Sequence, residues 1–155
     1  MQKKVSEFMT TEVISVSEDD ALKNVFKLMD KHGILGVPVV DGSGGVIGMV
    51  TESDLIKHFT TLNAPIGISI LGSIVYLNNL QDFNEHLKDH SAERVGDMMT
   101  KEVVTVMQNF TLLECINIMA EKSLNRLPVV DEVGKLVGIV TRSDIVHQLA
   151  KLKTP

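Results

Sequence analysis

Two short runs hold most of the polar chemistry in this 155-residue chain, Thr51-Glu52-Ser53-Asp54 and Thr141-Arg142-Ser143-Asp144. Each follows a β-branched run and opens a stretch with helical spacing. A threonine hydroxyl and the backbone N–H groups of a helix start face an end that favours anions, so a phosphate is accommodated there. A carboxylate three residues on can accept two hydrogen bonds from the vicinal hydroxyls of a ribose. A hydroxyl for phosphate and a carboxylate for sugar, one turn apart, make a compact nucleotide clamp. The same residues also read as a capping box, with Thr as N-cap and the acid returning a hydrogen bond. Both readings stay open on the sequence alone.

Other chemistry finds little support. His86 and His90 are four apart, but no Glu follows His86, so the zinc-protease pattern is missing and no metal is expected. His32, His58 and His147 have no acid–nucleophile constellation around them. No Gly-x-x-x-x-Gly-Lys-Ser/Thr run is present, which excludes a P-loop hydrolase. Cys115 falls on an apolar helical stripe and reads as core. No catalytic residue is expected.

The elements that must position the two runs are written twice. Residues 5–58 align with 95–148 at a constant offset, without a gap, with 18 identities over 54 positions. In each copy a short apolar stretch precedes a helical stripe, Leu22, Val25, Phe26 and Met29 or Leu112, Cys115, Ile116 and Met119. Two β-branched runs follow, Val37–Val40 and Val46–Val50 or Leu127–Val130 and Leu136–Val140, joined by a turn containing Gly. A second helix starts at Thr51 or Thr141. The prediction is an α+β fold, a pseudo-twofold pair of β-α-β-β-α repeats with small sheets packed against each other. Two copies of this length are too few and too long for a solenoid.

Between the repeats, residues 59–94 have no counterpart. Ile66 to Leu77 is strongly apolar but, at 12 residues, too short to span a bilayer. Residues 82–90 are polar and predicted helical, so the insert is read as an apolar element plus a helix, laid on the domain or on a partner. A net charge of −5, 44% hydrophobic and 23% charged residues describe an ordinary soluble chain, with no basic cluster for nucleic acid. The N-terminus has no apolar signal segment, and one cysteine excludes an intrachain disulfide; a reducing cytoplasm is expected, and no membrane partner.

Three motifs in order, twice, complete the pattern: Val-x-x-x-Met-Thr at residues 5 and 95, Pro-Val-Val-Asp at 38 and 128, and Gly-x-Val-Thr-x-Ser-Asp at 48 and 138. This resembles a tandem pair of cystathionine β-synthase (CBS) domains, a Bateman module, over all but the insert and tails. The resemblance implies a single module over 1–155 with repeats 5–58 and 95–148, no catalytic activity, and clefts that take AMP, ADP, ATP or S-adenosylmethionine without a metal. It places a phosphate-reaching Arg126 beside Thr141, Ser143 and Asp144, with an adenine wall of Ile14, Ile34 and Gly36 and Thr10 nearby. The mirror site would have Thr51, Ser53 and Asp54 with Val104 and Leu124, but Gly36 stands where the second copy has Arg126. It further implies a homodimer and a regulated partner protein. A purely structural interaction module with degenerate sites is the alternative.

Overall fold

The helical stripes fold as their spacing dictates. In a computed structural model, which describes residues 3–61, 67–70, 73–76 and 93–152, α1 (Leu22–His32) buries Leu22, Val25 and Met29. Its counterpart α4 (Leu112–Glu121) buries Leu112, Cys115 and Met119. The two helices start differently. Thr111 caps α4 by accepting from Glu114 N–H at 3.3 Å, and Glu114 accepts in return from Thr111 N–H at 2.7 Å. The Thr111 hydroxyl also donates to Glu114 Oε2 at 2.7 Å, and this bond, followed by the one from Thr111 N–H, holds the Glu114 carboxyl below the usual carboxylate range. The equivalent Ala21 offers α1 no side-chain cap.

The β-branched runs form two three-stranded sheets. One has the order β1 (Val16–Ser17), β2 (Gly36–Val40), β3 (Val46–Thr51); the other β6 (Val106–Met107), β7 (Arg126–Val130), β8 (Leu136–Thr141). In the second sheet β6 runs parallel to β7, and β7 antiparallel to β8. Helices α2 (Glu52–Thr61) and α5 (Arg142–Ala150) follow the last strands directly. The β-α-β-β-α order is therefore met in both copies. Within the insert, β4 (Gly67–Ile70) and β5 (Ser73–Tyr76) pair antiparallel. The segment expected to be helical, 82–90, lies outside the described residues.

Chain order and compact units do not coincide. Of the described residues, one unit gathers those in 3–15, 40–48 and 101–152; the other gathers those in 16–39 and 49–100. The start of each copy thus belongs with the body of the other copy.

In the first of these units, a 3-10 turn at Val5–Glu7 docks on the second copy. Val5 N–H donates to Phe110 O at 2.7 Å, and Leu112 N–H donates to Lys3 O at 2.9 Å. The Val5 side chain is 0% exposed, inside a cluster with Val106, Leu112, Cys115 and Val140, and Phe8 and Met9 pack against it. Lys3 Nζ donates to the buried Gln148 Oε1 at 2.8 Å, satisfying a polar group that burial would otherwise penalise. The chain then crosses β8: Thr10 and Ile139 exchange both backbone bonds, at 3.0 and 2.9 Å. The hairpin turns of both copies also lie in this unit, where Leu136 N–H donates to Gly44 O at 3.0 Å.

The second unit repeats the plan. Helix α3 (Val95–Met98) brings Val95, 0% exposed, to the first copy. Val95 N–H donates to Asp20 O at 2.9 Å, and Leu22 N–H donates to Glu93 O at 2.8 Å. Thr100 and Met49 then exchange both backbone bonds at 2.9 Å. Each opening segment thus heads one repeat in sequence and hydrogen-bonds to the body of the other.

Gly138 lets the first segment cross β8, because a Cβ there would lie 2.5 Å from Met9 Sδ and 3.1 Å from Thr10 O. Gly138→Ala is expected to destabilise by about 1–3 kcal/mol through this overlap. Met9→Ala should recover part of that loss, so the two effects should be non-additive in urea unfolding. Strict additivity would contradict the crossing.

Candidate functional site

Each Thr-x-Ser-Asp run sits at the junction of a strand and a helix, as its residue types require. Thr141 ends β8 with extended backbone (φ −116°, ψ 166°) and serves as N-cap of α5. Its hydroxyl accepts from Asp144 N–H at 3.4 Å, while Asp144 Oδ2 accepts from Thr141 N–H at 2.8 Å and from Thr141 Oγ1 at 2.7 Å. The capping box is real. It does not use up the carboxylate, because both bonds fall on Oδ2 and no described residue donates to Oδ1 of Asp144.

Three further expected residues share this neighbourhood. Arg126 lies opposite Thr141 in the β7·β8 ladder, so the two side chains leave the sheet on the same face. Ile139, two residues earlier, is on that face as well, and Thr10 is its bridge partner. One face of β8 therefore collects Thr10, Arg126 and Thr141, with Asp144 in the first turn of α5. Ser143 is exposed beside them, and Ile14 is half-buried four residues beyond Thr10.

The remaining expectations divide. Ile34 and Gly36 belong to the other unit, where Ile34 N–H closes α1 on Met29 O at 3.0 Å and Gly36 is buried at the start of β2. Val104 and Leu124, expected as a second wall, pack against the second copy's core. Leu124 also lines an open cavity of about 530 Å³ beside Ile116, Arg142 and Val146, in which none of the other expected residues takes part.

In the first copy's run the carboxylate side of this arrangement recurs. Asp54 Oδ2 accepts from Thr51 N–H and from Thr51 Oγ1, both at 2.9 Å. Here a third donor arrives: Thr100 Oγ1 donates to Asp54 Oδ1 at 3.0 Å. Sequence reasoning named Thr10 but passed over Thr100, although the offset between the copies makes them equivalent.

Among the described residues no group of His, Cys, Asp and Glu could hold a metal ion, and no helix is long and apolar enough to cross a membrane. His58 is paired with Glu93, both part-buried. The Cys115 thiol is pushed up to about 11, burial contributing most and Glu114 adding to it. A thiolate is the reactive form, so a thiol reagent at about pH 8 should modify Cys115 only as unfolding exposes it. Rapid modification of the folded protein would show the packing around α4 to be open.

The CBS domain family model matches residues 5–61 and 95–151. An uncharacterized protein of Methanocaldococcus jannaschii is 32% identical over 143 residues, covering 88% of this chain and 85% of that one. The inosine-5'-monophosphate dehydrogenase of Korarchaeum cryptofilum is 30% identical over 146 residues, a match that spans 94% of this chain but 24% of the enzyme. Among solved structures, CBSX2 in complex with AMP superposes with a TM-score of 0.73 at 25% identity, covering 98% of this chain and 99% of that one.

Proposed function

The chain belongs to the CBS domain family, and from that premise we propose that it is a non-catalytic regulatory module that binds an adenosyl ligand at the end of β8. AMP is the proposed prototype, with ADP, ATP and S-adenosylmethionine as alternatives of the same class. The observation that carries this reading is the state of Asp144: a carboxylate fixed by its own helix start, to whose Oδ1 no described residue donates. Similarity to a structure in complex with AMP supports an adenosyl ligand as the occupant.

Roles follow from the geometry. Asp144 accepts from the ribose hydroxyls. The phosphate meets Thr141, Ser143 and the N-terminus of α5. Arg126, on the same face as Thr141, supplies a fork of donors to phosphate oxygens. Thr10 ties the site to signalling, because its segment is held to β8 by the two backbone bonds with Ile139. A ligand that touches both favours the docked arrangement of residues 3–10, and that bias is what a regulated protein would read. Catalysis has no support from these groups: each aspartate is committed to a helix cap, and the two lie in different units. The module is proposed to act in the cytoplasm as a homodimer with a regulated partner.

A second reading, an interaction module with degenerate sites, draws on the exposure of Ile56 and Val146, 63% and 65%, at equivalent positions of α2 and α5. Calorimetric titration with AMP, ADP, ATP and S-adenosylmethionine separates the two readings. Binding of none would leave only the interaction module.

Asp144→Ala is expected to weaken AMP by at least about tenfold, roughly 1.5 kcal/mol, through lost ribose bonds. Asp54→Ala should cost less, and equal losses would refute the assignment. Arg126→Ala should weaken AMP more than adenosine, since the guanidinium is assigned to phosphate. Equal weakening of both ligands would make Arg126 a structural residue.

A further inference from the structure

The two aspartates are not equally open. We infer that the Thr100 hydroxyl closes the Asp54 position to a ribose, so that the chain takes one adenosyl ligand tightly and not two. This deepens the adenosyl reading above and rests on it.

Hydrogen-bond positions on the two carboxylates are filled unequally. An ionised carboxylate accepts about four bonds, two on each oxygen. Asp144 accepts two from described residues, both on Oδ2, which leaves Oδ1 with room for the two donors of a vicinal diol. Asp54 accepts the same two on Oδ2 and a third, from Thr100, on Oδ1. One position remains there for two hydroxyls. A ribose at Asp54 must displace Thr100 or leave one of its own hydroxyls unbonded, and an unmade polar bond in a contact is the costly outcome.

Thr100 is held where it can do this. Its backbone exchanges two 2.9 Å bonds with Met49, which lies two residues before Thr51 on β3. Residues two apart on a strand share a face, and bridge partners share it too. The Thr100 side chain therefore leaves on the face of Thr51, beside the first turn of α2 that carries Asp54. Thr10 stands on the equivalent bridge in the other unit, yet donates no bond to Asp144. The closed and open positions differ by the setting of one hydroxyl.

Adenosine is the probe of choice, because it needs no phosphate contact and so does not depend on the arginine that the Gly36 copy lacks. Titrated calorimetrically into the full chain, adenosine is expected to fill one site, with any second at least tenfold weaker. Thr100→Val keeps the shape and removes the donor, and should add a second site within about tenfold of the first. Thr100→Ser restores the hydroxyl and should return the count to one. In Thr100→Val carrying Asp144→Ala, the remaining site should be abolished by Asp54→Ala. Two equal sites in the native chain, or one site in all three proteins, would overturn this inference while leaving the adenosyl reading in place. Adenosine and AMP binding to none of the proteins would overturn both.

Discussion

The burial of Val5 in the body of the second copy, and of Val95 in the body of the first, is the interaction on which the rest depends. Each repeat has a helix stripe and a three-stranded sheet, but neither core is closed by its own opening segment. Val5, with Phe8 and Met9 packed beside it, completes the cluster around Leu112 and Val140. Backbone bonds reinforce the apolar contact on both sides of the turn, from Lys3 to Leu112 and from Thr10 to Ile139. Burying one valine contributes on the order of 1.5–3 kcal/mol, a large share of the few kcal/mol that hold a small domain together.

The same exchange creates the candidate sites. A capped helix start by itself is a structural device, and Thr141 with Asp144 would be no more than that in isolation. Functional character comes from what the crossing segment delivers to the same strand face. At β8 it delivers Thr10, which makes no bond to Asp144; at β3 it delivers Thr100, which bonds Asp54. Arg126 on β7 adds charge to one face, where the other copy has Gly36. Pseudo-symmetry of the backbone thus coexists with chemical inequality of the two ends.

Much of this was legible in the residues. Stripes such as Leu112, Cys115 and Met119 report a buried helix face because helix period and burial are local properties. Turn residues and β-branched runs located β2, β3, β7 and β8 for the same reason. The Thr-x-Ser-Asp runs announced both of their readings, and the cap is confirmed at 2.7–2.9 Å. What stayed hidden was non-local. An alignment of copies says that Val5 and Val95 are equivalent, but it is silent on which body each one joins. Val104 and Leu124, which the family resemblance implied as a ligand wall, are partly buried and pack against the core on one side. The bond from Thr100 to Asp54 was invisible because Thr10 and Asp144 have the same residue types and make no such bond. Apolar content did not specify strands within the insert either; the pairing of Gly67–Ile70 with Ser73–Tyr76 did.

Exchange of opening segments also has a consequence for biosynthesis. Val5, Phe8 and Met9 leave the ribosome about 135 residues ahead of Val140 of their cluster. At roughly 5–20 residues per second, the interval is on the order of ten seconds. During that time an apolar turn has no native surface to cover it. The first copy is in the complementary position, since its own core waits for Val95. The nascent chain therefore carries an unfilled core and an unburied plug at once, and a polysome brings several such chains together. Pairing of a plug with the wrong chain's core would use the native contacts themselves, so the fold's own closure is also its most direct route to intermolecular exchange.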